Sequence, residues 1–308
     1  MNLKQIKYFL AVCKNKSFIK ASYELNISQP AISKAISQLE YDLGVKLFDR
    51  VPKGISLTEF GVLFIKHAEL ITTDIRKAKD EIISKKEGRI GDIVIGAGPS
   101  SREILVPLAC SRLINENKNI HIDVVAELSD DLSQDLDTGK IDMSISMLLK
   151  SNENQMENNY VYFPLYKDRL NLITKKGHYL QTKKTTELSD TIKYNWILPK
   201  LKGNVFIDDI FIKHALAPPI SSITYNSAKF ALNLIENSDF IGFLPTQLIK
   251  PHVNSNIKQL NLKEIDVEVT YGITFLKEKP ISMSAHLLVN HLKEISSQMI
   301  QDNLVQNA

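Results

Sequence analysis

Apolar residues recur along the first part of the chain at the spacing of an amphipathic helix. The first such stripe comprises Leu3, Ile6, Phe9, Leu10 and Cys13. Ser17 is a suitable N-cap for a second helix over residues 18–25, and Asn26-Ile27 is typical of a tight turn. We expect Ser28 to cap a third helix and Gly44 to end it as a left-handed residue. The pattern therefore predicts three short helices in succession.

A hairpin and a long helix come next. Residues 45–57 predict two short strands around the turn Pro52-Lys53-Gly54. One helix then runs from Thr58, its cap, to about Lys86. Its apolar positions follow spacings of four and three in turn, which favours pairing with a second copy of the same helix. These positions are Phe64, Ala68, Ile71, Ile75, Ala78 and Ile82.

Beyond a linker at Glu87-Gly88-Arg89 the pattern changes to strands that alternate with helices, the order of an α/β domain. Predicted strands cover residues 92–97, 121–126, 142–147, 170–175, 196–199, 240–244 and 268–276. Helical stretches lie near residues 101–116, 130–138, 206–215, 227–237 and 283–300. The predicted fold class is therefore α/β overall, preceded by a small helical unit.

Length and charge refine this picture. A chain of 308 residues predicts two or three domains. Residues 1–90 contain 13 Lys and 3 Arg against 10 acidic residues, a net charge of +6, whereas residues 91–308 carry −3. This asymmetry fits a nucleic-acid-binding head on a nearly neutral body. The chain has no apolar run of about 18 residues, so we expect no membrane span.

Two cysteines cannot build a disulfide framework, and the segment MNLKQIKYFLAV lacks the features of a signal peptide. We therefore expect a cytoplasmic protein. No nucleophile elbow, phosphate-binding loop or zinc motif occurs, and His286 and His291 are spaced wrongly for one helix face. We predict no metal, no cofactor and no enzymatic activity.

Residues 18–37 have the composition of a helix-turn-helix, in which the start of the second helix reads base edges. Gln29 can pair with adenine, Ser33 can donate or accept, and Lys34 suits a base or a phosphate. An ordinary helical hairpin with a solvated face explains the same pattern. Arg50 and Lys53 beside the hairpin turn favour DNA binding, since they are placed for phosphate or minor-groove contact.

The segment SFIKASYELNISQPAISKAISQLEYDLGVKLFDRVPKGISLTEFG resembles the N-terminal signature of LysR-type transcriptional regulators. The resemblance is specific over about residues 3–65 and looser beyond. One departure is Ser22, where the family mostly has a second Ala. The matching motifs are Ser-Gln-Pro-Ala, Gln38-Leu39-Glu40, Leu43-Gly44-Val45, Leu47-Phe48-Asp49-Arg50 and Leu57-Thr58-Glu59-Phe60-Gly61.

The resemblance implies a winged helix-turn-helix (1–58), a linker and dimerisation helix (59–88), and an effector domain (91–303) like periplasmic binding proteins. Its first subdomain would comprise 91–163 plus 268–303 and its second 164–267, with crossings near Phe163-Pro164 and Asp266-Val267. The implied partners are double-stranded promoter DNA, a small-molecule effector, further copies in a homodimer or homotetramer, and RNA polymerase. The expected DNA-binding residues are Phe18, Lys20, Ser28, Gln29, Pro30, Ala31, Ser33, Lys34, Ser37, Arg50 and Lys53.

Small polar residues near predicted strand ends mark an effector site between the subdomains. The run Gly96-Ala97-Gly98-Pro99-Ser100-Ser101 offers backbone N–H groups and hydroxyls, which suit an anion such as a carboxylate. Each serine can equally be a simple helix cap. The expected effector residues are Ser100, Ser101, Ser129, Met147, Lys200, Gly203 and Ser227.

Two readings from other classes stay open. An α/β binding protein or enzyme with a helical adaptor would share the C-terminal pattern, and a nucleoid-type protein would bind DNA without sequence preference. The basic head, the hairpin and the paired-helix seam argue against the first reading, and competition with bulk DNA would test the second.

Overall fold

The computed structural model describes residues 1–52, 54–88, 91–148, 159–200, 205–250, 256–260, 262 and 267–308. Lys53, Gly203 and the predicted crossing residue Asp266 lie outside this part. Two compact units are present, one comprising Met1–Glu87 with Asp137–Lys140 and the other Gly88–Leu136 with Ile141–Ala308. No helix in the described part combines the length and apolar character needed to cross a bilayer.

The first unit begins with helices α1 (Leu3–Asn15), α2 (Phe18–Leu25) and α3 (Gln29–Leu43). Ser17 caps α2 as predicted, because its hydroxyl accepts a hydrogen bond from the Lys20 N–H. Ser28 occupies the N-cap position of α3, as predicted. Its side chain makes no capping hydrogen bond, so the predicted capping interaction is absent. Gly44 ends α3 at φ +71°, as predicted.

The predicted hairpin is confirmed as strands β1 (Phe48–Val51) and β2 (Gly54–Leu57), which pair antiparallel. Helix α4 (Glu59–Lys86) follows, and its cap is Thr58, whose hydroxyl accepts from the Gly61 N–H at 3.0 Å. A buried apolar core joins the three short helices to the start of α4. Its fully enclosed members include Phe9, Ala21, Ile32, Leu39 and Ala68.

The second unit confirms the alternating α/β order. Its strands are β3 (Gly91–Ala97), β4 (Ile120–Ala126), β5 (Met143–Leu148), β6 (Tyr160–Lys175), β7 (Trp196–Pro199), β8 (Ser221–Tyr225), β9 (Gly242–Pro245), β10 (Ile257–Leu260) and β11 (Glu268–Leu276). Its helices are α5 (Leu105–Glu116), α6 (Ser129–Asp137), α7 (Leu188–Thr191), α8 (Val205–Lys213), α9 (Ala228–Glu236), α10 (Thr246–Ile249) and α11 (Met283–Gln301).

The main sheet runs β10-β6-β11-β5-β3-β4, with β9 pairing against β6, and β7-β8 form a separate parallel pair. Strands β3, β4 and β5 are parallel, whereas β11 is antiparallel to both β5 and β6. Strand β6 pairs with β11 as far as Arg169 and with β9 and β10 from Leu170 onward. The change of partner therefore lies later than the expected crossing at Phe163-Pro164, because one continuous strand serves both halves of the sheet.

Candidate functional site

Helix α3 presents an exposed polar face at its N-terminal end. Gln29, Pro30, Ala31, Lys34 and Ser37 are exposed, and Ser33 is half-buried. The opposite face is anchored in the core by Ile32, Ile36 and Leu39. A rigid helix whose first turns stand free of the core is the element that such folds place in the major groove.

Two of the predicted base-reading side chains contact each other. The Gln29 amide Nε2 donates a hydrogen bond to Ser33 Oγ at 2.8 Å, one helical turn further on. This bond uses one amide N–H and leaves the second N–H and the carbonyl oxygen of Gln29, the pair that recognises adenine. The contact therefore holds Gln29 in place without using its reading groups.

Phe18 has a packing role that the sequence interpretation did not assign. Its ring is half-buried and meets the Phe48 ring edge-on, with centroids 5.8 Å apart. Lys20 and Ser28, by contrast, are exposed. The structure thus ties Phe18 to the hairpin, and its contact with DNA stays a prediction.

A buried residue of α3, to which the sequence analysis assigned no role, joins this helix to the hairpin. Glu40 is buried, and its Oε1 accepts hydrogen bonds from the backbone N–H of Leu47 at 2.9 Å and of Phe48 at 3.4 Å. Its Oε2 accepts from the Lys46 ammonium at 2.6 Å. Glu40 therefore fixes the base of the hairpin to helix α3. The hairpin residue Arg50 lies on β1 opposite Ile55, and its side chain, like Lys53, is outside the described part.

An apolar cavity of about 80 Å³ lies between the two halves of the second unit. Ser100, after β3, and Tyr271, on β11, reach it from one half, and Tyr225 and Phe243 reach it from the other. A larger groove of about 570 Å³ runs along β6 and β10, but it contains none of the predicted effector residues.

The predicted effector residues have different positions. Ser100 and Met147 line the cavity. Ser101 is completely buried beside it, and Ser129 begins α6 but its side chain is not among those described. Ser227 caps α9 by accepting from the Phe230 N–H, as the simpler interpretation expected. Lys200 is exposed and Gly203 lies outside the described residues. Neither Lys200 nor Ser227 lines the cavity.

Most of the cavity wall comes from residues that sequence reasoning missed. They are apolar or aromatic side chains on strands and helices far apart in the chain, and a local motif does not mark them. The missed lining residues include Leu128, Leu170, Ile207, Tyr225, Leu248 and Tyr271.

A buried polar layer lies next to the cavity. The Tyr166 and Tyr271 rings stack with centroids 5.1 Å apart, and the Tyr166 hydroxyl donates to Gln247 Oε1 at 3.0 Å. Burial raises the pKa of both phenols well above the usual value, and Asp168 raises them further. Both tyrosines are therefore neutral hydrogen-bonding groups at physiological pH.

A contact to one of the cavity residues joins the two halves. Arg102 Nη2 donates to the Asn226 carbonyl oxygen at 2.5 Å, and Arg102 Nε lies 3.5 Å from Glu103 Oε1. Arg102 follows β3, whereas Asn226 follows β8 and itself lines the cavity. The Arg102 guanidinium therefore contacts both Asn226 and Glu103.

Family models match nearly the whole chain. Residues 3–62 match the model for a bacterial regulatory helix-turn-helix protein of the lysR family, and residues 86–296 match the LysR substrate binding domain. The chain belongs to the LysR family. It is therefore a DNA-binding transcriptional regulator with a domain for a small-molecule effector.

Full-length relatives agree with this LysR assignment. The chain is 26% identical over 303 residues to the HTH-type transcriptional regulator GbpR of Azospirillum brasilense, covering 96% of this chain and 87% of GbpR. It is 25% identical over 304 residues to the HTH-type transcriptional regulator PcaQ of Agrobacterium fabrum, covering 97% and 96%.

Solved structures share the fold of this LysR chain. The crystal structures of CbnR, a LysR family transcriptional regulator, and of full-length CbnR complexed with its target DNA each match with a TM-score of 0.66 and 22% identity. Each match covers 96% of this chain and 99% of CbnR.

Proposed function

We propose that this regulator reads a partly palindromic promoter sequence by placing the start of α3 in the major groove. The observation that carries the proposal is the exposed Gln29, hydrogen-bonded to Ser33 on a helix anchored by Ile32 and Ile36. The exposed face of α3 supplies the remaining base or phosphate contacts through Ser28, Pro30, Ala31, Lys34 and Ser37. Lys20, Arg50 and Lys53 contact the DNA backbone, and Phe18, packed against Phe48 of the hairpin, adds a further contact to DNA.

The domain boundaries expected from the sequence form part of this proposal. The head (1–58) binds DNA, the linker helix (59–88) pairs two copies, and the body (91–303) binds the effector. Two such dimers form a homotetramer in the cytoplasm, and RNA polymerase is the next partner at the promoter. The protein acts by binding and not by catalysis.

The effector occupies the cavity between the two halves of the body. Ser100 and Met147 line that cavity, and Arg102 of one half donates a hydrogen bond to the Asn226 carbonyl oxygen of the other. A ligand that favours one relative position of the halves shifts the population toward it. That shift changes the spacing of the DNA-binding heads in the assembly.

Replacement of Gln29 tests the reading role of α3. Gln29→Ala should lower affinity for the preferred site by roughly 1–3 kcal/mol and relax the base preference at one position of each half-site. Selection of binding sites from a random DNA pool measures both effects. Gln38→Ala, on the same helix and also exposed, is the control and should select the wild-type sequence. An unchanged motif with Gln29→Ala would show that Gln29 does not read bases.

A further inference from the structure

Lys16 has a backbone conformation that its side chain does not favour. It is the C-cap residue of α1, with φ +49° and ψ +29°, in the left-handed region. Most side chains are costly there, because the Cβ atom crowds the following carbonyl oxygen. Helices α2 and α3 end in the same conformation on Asn26 and Gly44, the residue types that tolerate it. Helix α1 would end with less strain on a glycine, and a strained residue of this kind is typical of a functional position.

The Lys16 side chain is exposed, and its ammonium pairs with no carboxylate in the part of the chain that the structure describes. Its neighbour differs in this respect, since the Lys14 ammonium lies 2.7 Å from the Glu24 carboxylate. Lys14 also lies in the last turn of α1, where a positive charge is favourable to the helix dipole. The charge of Lys16 is therefore not needed to complete the helix end, and it is accessible to a partner.

Lys16 lies between α2 and the hairpin. Ser17, the next residue, caps α2, which is the first helix of the helix-turn-helix, and in such motifs this helix crosses the phosphate backbone. The hairpin approaches from the other side, because a Cβ atom built on Gly54 would lie 3.3 Å from the Lys16 carbonyl oxygen. The rings of Phe18 and Phe48, which meet edge-on, join the same two elements. The backbone of Lys16 is thus held where two DNA-facing elements of the proposed function meet.

We propose that Lys16 is a further DNA-binding residue, whose ammonium contacts a backbone phosphate where α2 and the hairpin meet. It acts together with Lys20, Arg50 and Lys53, and it carries no sequence information, because phosphates do not differ between base pairs. The head therefore loses stability at this residue and gains affinity for DNA. The assignment rests on the proposed function, which places this side of the head on DNA.

Lys16→Gly should change stability and DNA affinity in opposite directions. Relief of the left-handed strain should raise the melting temperature by about 2–4 °C. Loss of one phosphate contact should weaken binding by roughly fivefold for each bound head at about 0.15 M salt, and it should reduce the slope of log affinity against log salt by about 0.9 for each head. If the lysine served the end of α1 instead, its loss would lower the melting temperature and leave DNA binding unchanged. Either of these results overturns the proposal.

Matched variants separate the charge from the backbone. Lys16→Arg keeps the charge and should keep the affinity and the salt slope. Lys16→Asn tolerates the left-handed conformation without the flexibility of glycine, so it should weaken DNA binding as much as Lys16→Gly. Lys7→Gln removes the same charge from an exposed position of α1, roughly 13 Å away along the helix and beyond the screening length of about 8 Å. It should bind DNA like the wild type. Equal weakening by Lys7→Gln and Lys16→Gly, or by Lys16→Arg and Lys16→Gly, contradicts a local phosphate contact.

Fluorescence anisotropy of the full-length proteins, titrated against labelled DNA at several salt concentrations, measures the affinity and the slope, and calorimetry measures the melting temperature. Each titration uses DNA with the preferred site and DNA of random sequence. A wild type that does not distinguish the two refutes the proposed function, whereas a reduced slope of Lys16→Gly on both still supports the phosphate contact. A protein that prefers its site and keeps its slope in Lys16→Gly refutes only the role of Lys16.

Discussion

Gly61 lies where α4 passes closest to the hairpin. A Cβ atom at this position would stand 2.2 Å from the Leu47 carbonyl oxygen and 2.8 Å from a Leu57 methyl carbon. The first of these neighbours is backbone and cannot move aside alone. Glycine is therefore required here by the approach of two backbones, which explains why the Leu-Thr-Glu-Phe-Gly run ends as it does.

Gly61→Ala should destabilise the head by about 3 kcal/mol, at the upper end of overpacking costs, because the helix start or the hairpin must shift. Urea unfolding of the full chain, followed by circular dichroism, measures the change. Gly44→Ala is the matched control: its Cβ meets nothing within 4 Å, so only the left-handed backbone matters, at a cost of about 1–2 kcal/mol. A smaller loss for Gly61→Ala than for Gly44→Ala would contradict the close approach.

Both cysteines are free thiols whose reactivity the fold suppresses. Burial, and to a smaller degree the charge of Glu69, raises the pKa of Cys13 to about 12, and burial also raises the pKa of Cys110. At pH 8 the Cys13 thiolate population should fall on the order of a thousandfold relative to an ordinary thiol. Labelling with Ellman's reagent should therefore be slow in native protein and fast in guanidinium. Rapid native labelling of Cys13 in a Cys110→Ser variant would contradict this expectation.

At the scale of secondary-structure elements, the sequence predicted the strands and helices whose hydrophobic pattern is local. The strands at 196–199 and 268–276 have the predicted bounds, and the long helix begins at its predicted cap. The first half of β6 was not predicted, because Pro164 and the run Lys167-Asp168-Arg169 hide its alternation. Strands β8 and β10 were also missed, since short strands with several polar residues resemble loops.

For the effector cavity, too, the sequence predicted only the lining residues that a local pattern marks. Ser100 was found because a small polar residue between a strand and a helix is a local signal. Tyr271 and Leu248 come together only through the pairing of β6 with β9 and β11. An apolar residue on a strand predicts burial, but its sequence context does not say which cavity it lines.

The link between α3 and the hairpin also acts at the element scale. Glu40→Ala removes the acceptor for the Leu47 and Phe48 N–H groups, of which the Leu47 bond is buried. We expect a loss of about 1–3 kcal/mol in the free energy of unfolding and weaker binding to all DNA sequences. Glu40→Gln keeps an acceptor and should recover part of the loss.

Glu24→Ala provides the control for this prediction, because the Lys14–Glu24 ion pair is exposed to solvent and should contribute little to stability. Thermal or urea unfolding compares the three variants, and fluorescence anisotropy with labelled DNA follows binding. Equal stability of Glu40→Ala and Glu24→Ala would mean that the hairpin does not depend on this carboxylate.

At the scale of the whole molecule, the two halves of the apolar seam of α4 have different surroundings. Phe64, Ala68 and Ile71 pack into the core of their own head. Ile75 and Ile82 remain 47% and 71% exposed in the single chain. A continuous heptad pattern whose second half is uncovered indicates that a second copy of α4 lies there.

Ile82→Glu should therefore break the pairing of two copies. Each chain would lose roughly 1.5–3 kcal/mol of apolar burial, and the two introduced carboxylates would repel each other, so the dimer should weaken by at least about a hundredfold. Sedimentation velocity of the full chain should show the assembly halved, and cooperative binding to paired half-sites should disappear. Arg76→Glu, exposed on the same helix and on the side away from the seam, makes the matched control and should keep both properties. An Ile82→Glu protein that still binds paired half-sites cooperatively would mean that the heads are joined by a surface other than α4.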